Sequence, residues 1–468
     1  MKKNNIKTMI ALLAVLVLMG CQNDSNDSTS GPVTTPESTN EQGIAAHRPD
    51  VYVNGFPVIT IDVDFNLPIN WDEPSAYDLG FFRENWLGAT LSISNTSEQF
   101  MVEDMEIRAR GRGNSTWWSF GPKRPVRFRF TDENRAIFDS PHVGRDWVTF
   151  ANAADGTVGL RNFVAYYLAD LMGNFNFVPQ TWFVHLYLDG EYRGVYMVLD
   201  EREAGPGRGD LYLHEDPTVS EFMIEFDVRT AWEADGPVNS HWVDVRGPWD
   251  IRYPSTSAWM DEENNPHALY VDDFLTRLDD AILTGDEETI HAMLDMDSFV
   301  DLYLLQEFTK NQDARWSSLF FQIRGQGADR RLYSGPVWDF DLTAGTTYYT
   351  ASPEGSRAVL SYYGHERFDW FYHFYQMPWF RELAYARWQE IRDVQVRQTI
   401  ERASYMAETF ADDFQRDFER WPNRTDHLRY NWNSSQQTRT LLTHIEQVEF
   451  LLDWYEQRIL WLDGWLSQ

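Results

Sequence analysis

Three carboxylates stand close together in the chain: Asp313, Asp339 and Asp341. Asp313 closes the stretch Gln306-Glu-Phe-Thr-Lys-Asn-Gln-Asp313, behind an apolar, helix-like run from Phe299 to Phe308. Asp339 and Asp341 lie in Gly335-Pro-Val-Trp-Asp-Phe-Asp341, behind an expected strand from Arg331 to Val337. A carboxylate at a helix-to-loop exit and two more behind a strand can converge on one divalent cation. Phosphoryl transfer needs such a set: one acid orients the attacking hydroxyl, and others hold the magnesium that neutralises the phosphates. The same acids also fit turns and helix caps, which favour Asp.

Phosphate chemistry needs a cradle as well. Arg110-Gly111-Arg112-Gly113-Asn114-Ser115-Thr116 has a suitable composition, with two glycines bracketing an arginine and small polar residues behind them. Such a loop lets backbone N–H groups approach an anion closely; a plain hairpin turn is the alternative. In the following stretch, Lys123-Arg-Pro-Val-Arg-Phe-Arg-Phe130, a period of two puts Lys123, Arg127 and Arg129 on one face. Val126, Phe128 and Phe130 take the other. The cationic face is either part of a phosphate cradle or a solvent-facing strand salted by the abundant acids.

The surrounding elements follow from periodicity. Pro57–Val63, Ala89–Ser94 and Met105–Gly111 alternate as short strands. Leu160, Phe163, Val164, Tyr167, Leu168, Leu171 and Met172 mark the buried face of a helix ended by Gly173, with Asp155 or Thr157 as its cap. Phe183–Leu188 and Tyr192–Leu199 flank Asp189-Gly190, a hairpin signal, with Glu201 at the exit. Phe222–Asp227 is a further strand. Helical periods cover Leu269–Leu283, Glu287–Leu294, Ser298–Thr309 and most of Phe368–Leu466, with a break near Trp421-Pro422-Asn423. A β-rich half therefore precedes a helical half, and the acids fall at the join.

Composition limits what this chemistry can serve. The 468 residues suffice for two domains or one large one, and 43% hydrophobic residues supply a sizeable core. The 20 Trp fit a large core or a sugar-binding surface. A net charge of -32 excludes nucleic acid as a partner, because phosphate backbones attract basic surfaces. Basic residues are nearly all Arg: Lys occurs only as Lys2, Lys3, Lys7, Lys123 and Lys310. An acidic, Lys-poor surface suits a saline or alkaline medium, and Lys123 and Lys310 mark places where a compact ammonium is wanted.

Cys21 is the only cysteine, so no intrachain disulfide forms. A basic start with Lys2, Lys3 and Lys7 precedes a short apolar run, Met9–Met19. Leu18-Met19-Gly20-Cys21 then resembles the lipobox of a bacterial lipoprotein signal. That resemblance implies a signal peptide over 1–20, cleavage before Cys21 and lipid on its thiol, with anchoring in the cell envelope, periplasmic or at the surface. Gln22 rather than Asp follows, so inner-membrane retention is not indicated. Residues 21–46, rich in Asn, Asp, Ser, Thr and Pro, form a flexible tether, and 47–468 the folded domain.

Taken in order, Arg110–Trp117, Lys123–Phe130, Asn152–Asn162, Leu186–Met197, Phe222–Asp227, Gln306–Asp313 and Gly335–Asp341 resemble the CotH kinase family, the spore coat protein H type of atypical protein kinase. The resemblance implies an α+β, divergent protein-kinase-like two-lobe fold. A β-rich lobe over about 50–230 would sit against a helical lobe over about 260–468. It implies ATP and Mg2+ or Mn2+ as cofactors and phosphoryl transfer to Ser or Thr of a protein substrate. Asp313 would orient the substrate hydroxyl, and Asp339 would hold the metal with Asp341 as a further ligand. Ser318, five positions after Asp313, stands where ordinary kinases have a metal-binding Asn. Lys123 would contact the ATP phosphates under the loop of Gly111, Arg112, Gly113 and Asn114. Glu201 would meet the nucleotide where the lobes join. Two other classes remain: a non-catalytic surface module for a polysaccharide or protein, and a glycosidase pairing Glu225 with Asp339.

Overall fold

The computed structural model describes residues 48–65, 69–118, 121–131, 134–228, 242–243, 249–254, 265–359, 368–421 and 435–468. Cys21, the signal segment 1–20 and the tether 21–46 lie outside the described residues, as do residues 422–434, where the helical break is expected. Ala46–Gln468 forms one unit.

Alternation along the first strands builds a closed barrel. Its strands are Val58–Val63 (β1), Leu87–Ser94 (β2), Val102–Gly111 (β3), Val126–Phe130 (β4), Asp146–Phe150 (β5), Thr181–Leu188 (β6) and Glu191–Asp200 (β7), in the order β1-β2-β3-β4-β5-β7-β6. Ile59, Ile61, Leu91, Ile93, Ile107, Ala109, Val126 and Phe128 are buried, and their polar neighbours face outward. Parallel pairing of β1 with β6 closes the ring and removes the free edges that invite aggregation. The β6–β7 turn has Asp189 and Gly190 at φ 51° and 76°, as a two-residue hairpin turn needs.

Around the barrel lie Ala76–Glu84 (α1) and Leu160–Met172 (α2). Helix α1 carries no clear apolar period and was not expected; Ser75 caps it by accepting from Asp78 N–H at 3.1 Å. Helix α2 has the expected bounds but a different cap. Gly159, at φ 106°, takes the N-cap position, and Asp155 instead closes the preceding turn by accepting from Thr157 and Gly159 N–H.

A second sheet contains Phe222–Phe226 (β8), Trp242–Val243 (β9), Trp249–Tyr253 (β10), Leu319–Arg324 (β11) and Arg331–Ser334 (β12), in the order β12-β11-β8-β10-β9. This corrects the division of the chain into a β half and a helical half. Strand β8 pairs with β11, nearly a hundred positions later. Strand β11 is buried over Leu319–Ile323, so it lacks the polar alternation that marks a surface strand. Strand β12 stops at Ser334, where Gly335 turns at φ 103°, short of the expected Val337.

The longer of the remaining helices among the described residues are Pro266–Thr284 (α3), Glu287–Met293 (α4), Met296–Thr309 (α5), Trp370–Gln376 (α6), Pro378–Ile391 (α7), Arg397–Thr409 (α8), Ala411–Arg420 (α9) and His444–Leu466 (α10). Helix α5 is buried on every side from Ser298 to Thr309, as a helix through the middle of a core must be. One continuous apolar core runs from Val51 to Leu466. Trp117, Trp147, Trp182, Trp338, Trp388 and Trp454 are fully buried in it, which assigns these to packing. No helix among the described residues is long and apolar enough to cross a membrane.

Candidate active site

Helix α5 delivers the first acid. It ends at Lys310, whose φ of 49° turns the chain out of the helix. Gln312 N–H donates to Leu342 O at 3.2 Å and Ala344 N–H to Thr309 O at 2.9 Å. The turn that carries Asp313 is thereby stitched to the segment behind Asp341. The start of α2 holds that segment from the other side: Phe340 N–H donates to Asn162 Oδ1 at 2.8 Å, and Arg161 Nε donates to Ala344 O at 3.1 Å. Ser318 and Asp339 both have left-handed backbones, φ 61° and 68°, and Ser318 Oγ donates to Asp339 Oδ2 at 3.2 Å. Such conformations cost a non-glycine residue about 1–3 kcal/mol and cluster at functional sites.

Ser318 and Asp339 border a cavity of about 210 Å³ between the barrel and the second sheet. The glycine loop contributes Arg112, Gly113 and Asn114; the exit of β7 contributes Glu201 and Arg202; the opposite wall carries Ser318, Trp338 and Asp339. A smaller hollow adjoins it, lined by Arg112, Asn152, Asn162, Asp339 and Asp341. Arg112 and Asp339 belong to both. Gly113 has φ 88°, and a Cβ there would overlap Thr116 Oγ1, so the loop follows its course only with glycine.

The charges are arranged in opposition. Arg112 lies against the rings of Phe150 and Trp338, at 4.6 and 5.6 Å from their centroids. Burial lowers its pKa, and the nearby Glu201 opposes that shift. Glu201 is buried as well, which alone would raise its pKa; Arg127, Arg202 and Arg112 together hold it well below the usual carboxylate range. Arg127 Nε lies 3.5 Å and Arg202 Nε 3.2 Å from its carboxylate. Burial pushes Asp341 well above the usual range, and the carboxylates of Asp339, Asp313 and Asp155 push it further.

Among the described residues no three His, Cys, Asp or Glu side chains already close on a common point as a metal cage would. Magnesium rarely uses such a cage; it takes one or two carboxylates and completes its shell with phosphate oxygens and water. Asp339 and Asp341, hard oxygen donors crowded enough to repel one another, fit that role.

The expected site residues divide into three groups. Arg112, Gly113, Asn114, Glu201, Ser318 and Asp339 line one cavity, and Asp341 lines its neighbour. Asp313 stands outside both hollows, but its charge bears on Asp341 and on Arg357. Gly111 and Lys123 do not face the cleft. Gly111 packs on Trp117. Lys123 is a correction: it precedes β4 rather than sharing its outward face, and its ammonium is buried. There it donates to Asp417 Oδ1 at 2.7 Å and to Val195 O at 2.7 Å. Arg83, Arg110, Arg202, Asn162 and Trp338 had not been singled out. Arg83 reaches the loop through Gly113 O at 2.8 Å, a contact across thirty positions of chain that no local pattern announces. Lys310, noted as a rare ammonium, donates to Ser352 O at 2.8 Å and fastens the loop behind the acids. Burial pulls its pKa down to about 8.

Glu225 and Arg252 also border the large cavity, and behind them lies Asp250, directly across the ladder from Glu225. Burial first, then Glu225 and Asp227, push Asp250 up to about 7, against the pull of Arg252 Nη1 at 2.8 Å. A carboxyl with a raised folded-state pKa makes the folded chain the better proton binder. Its contribution to stability is therefore present at acid pH and is lost as pH rises through about 7. Asp250→Asn is expected to melt higher than wild type at pH 8, with the gap closing by pH 4. Melting curves across that range check it; an equal gap at both ends would contradict the assignment.

No curated protein matches the chain. A protein-family model described as CotH kinase protein matches residues 107–462, from β3 through α10. With three quarters of its length matched, from the glycine loop through both acid segments, the chain belongs to the CotH kinase family.

Proposed function

We propose that the cleft transfers a phosphoryl group from ATP, with Mg2+ or Mn2+, to a Ser or Thr hydroxyl of a protein. One observation carries this reading: the glycine loop and Asp339 line one cavity, Asp341 lines the hollow beside it, and Arg112 and Asp339 belong to both. In it the barrel acts as the β-rich lobe of a divergent kinase-like fold. Asp313 orients the acceptor hydroxyl and draws its proton. Asp339 and Asp341, with the Ser318 hydroxyl, hold the metal, which would neutralise the phosphates when bound. The loop amides and Arg112 hold the phosphate oxygens in place of Lys123, and Glu201 keeps Arg112, Arg127 and Arg202 in position. Cys21 is proposed to carry the lipid that fixes the domain to the cell envelope.

The burial of Lys123 favours a second reading, a binding module that has lost the chemistry and presents its surface to a polysaccharide or protein. Thermal-shift titration of the chain from residue 46 onward separates the two. Phosphoryl transfer predicts a rise in Tm of several degrees with ATP and Mg2+ or Mn2+ together, and little with either alone. A folded sample that shows no rise with both sinks the first reading and leaves the second.

A further inference from the structure

The outward face of the β3–β4 ladder breaks a rule of sheet design. Arg108 stands directly across from Arg129, and Arg110 across from Arg127. Like charges facing each other on adjacent strands repel, with Cβ atoms only about 5 Å apart. Trp86 serves as a platform for three of them, with Arg129, Arg110 and Arg127 at 4.4, 4.7 and 5.7 Å from its ring. Asp146 takes both Arg127 and Arg129. Arg108 and Arg110 form no ion pair among the described residues. Arg110 is also crowded: burial, Arg127 and Arg83 pull its pKa down to about 10. The face therefore holds more positive charge than its carboxylates balance, in a chain whose net charge is -32.

The excess is continuous with the cleft. Arg83, Arg110 and Arg127 line the large cavity together with Asp339. Arg108 and Arg129 form the next rung of the same face, about 7 Å further along the strands. That rung lies outside the cavity, beyond what the loop and Arg112 cradle. We propose that this two-by-two arginine face docks an acidic segment of the acceptor polypeptide and leads it into the cleft. The proposal rests on the phosphoryl-transfer reading for the word acceptor, but the docking itself does not. A polypeptide fits better than a membrane surface, because one end of the face is recessed in a cavity that a flat bilayer does not enter. An acidic segment is repelled by the rest of the surface and held here, which fixes where and in which register it lies.

The test is binding without nucleotide. A dye-labelled Glu-rich peptide carrying one Ser is titrated against the full chain by fluorescence anisotropy, beside a Lys-rich peptide and vesicles containing phosphatidylserine. The expected result is binding of the Glu-rich peptide alone, weakening as salt rises. Arg108→Glu and Arg110→Glu should each weaken it about tenfold or more. Arg108→Glu should also raise the Tm of the free protein, since Glu then faces Arg129; that gain separates lost docking from misfolding. Unchanged binding by both variants, or binding of vesicles in preference to peptide, overturns the proposal. A peptide that binds as expected but receives no phosphate upholds the docking face and removes the phosphoryl-transfer reading. Transfer without charge preference does the reverse.

Discussion

Asp339→Asn is expected to lower phosphoryl transfer by about a thousandfold or more, roughly 4 kcal/mol of transition-state stabilisation. It should also erase the rise in Tm with ATP and metal. Among the carboxylates that line the two hollows, Asp339 alone borders both. Asn suits the test because it leaves the architecture in place. It tolerates the left-handed backbone, φ 68°, that the position demands, and its amide oxygen can still accept from Ser318 Oγ, now 3.2 Å away. The charge alone is removed. The free protein should hold or gain Tm, because the carboxylate that most raises Asp341 after burial is gone. The pairing of a lost ligand response with an undiminished free-state Tm distinguishes a metal-binding acid from a structural one. Titrations with ATP and Mn2+ beside single-turnover transfer assays check both halves, and an Asn variant with wild-type transfer would refute the role.

Some of this site was legible in the chain because its parts are local. The Gly-Arg-Gly loop, the hairpin around Asp189-Gly190 and the apolar stripe of α2 each announce themselves within a dozen residues, and each holds in the structure. What the chain concealed comes from long-range pairing. Strand β11 is buried over Leu319–Ile323 and carries no period to separate it from a buried helix, so its place beside β8 could not be foreseen. Arg83 sits on a helix without amphipathic signal and enters the cleft only because α1 packs beside β3. Lys123 misled for a related reason. Its spacing from Arg127 and Arg129 fits a strand face, but Pro125 comes between, and Pro cannot donate to a ladder. The strand accordingly starts only at Val126, and Lys123 turns inward toward a helix nearly three hundred positions away.

That inward turn makes the second large prediction. Lys123 and Asp417 are 1% and 0% exposed and meet at 2.7 Å. Breaking a buried pair from one side leaves an uncompensated charge, at a cost of about 3–5 kcal/mol. Lys123→Met and Asp417→Asn should therefore each lower Tm by roughly 10 °C. Asp417→Leu alone should cost more than either, because Asp417 Oδ1 also accepts from Val195 N–H at 2.8 Å and Leu offers no acceptor in its place. The double change Lys123→Met with Asp417→Leu should recover part of the loss, since neither charge is then stranded, so the costs will not add. The functional readout runs the other way. A lysine that holds α9 to the barrel has no part in holding phosphate, so the Lys123→Met protein that folds should keep its full Tm response to ATP and metal. If instead Lys123→Met melts as wild type does but no longer responds to nucleotide, the ammonium must reach the cleft in solution. Arg112 would then lose its place as the phosphate-holding cation.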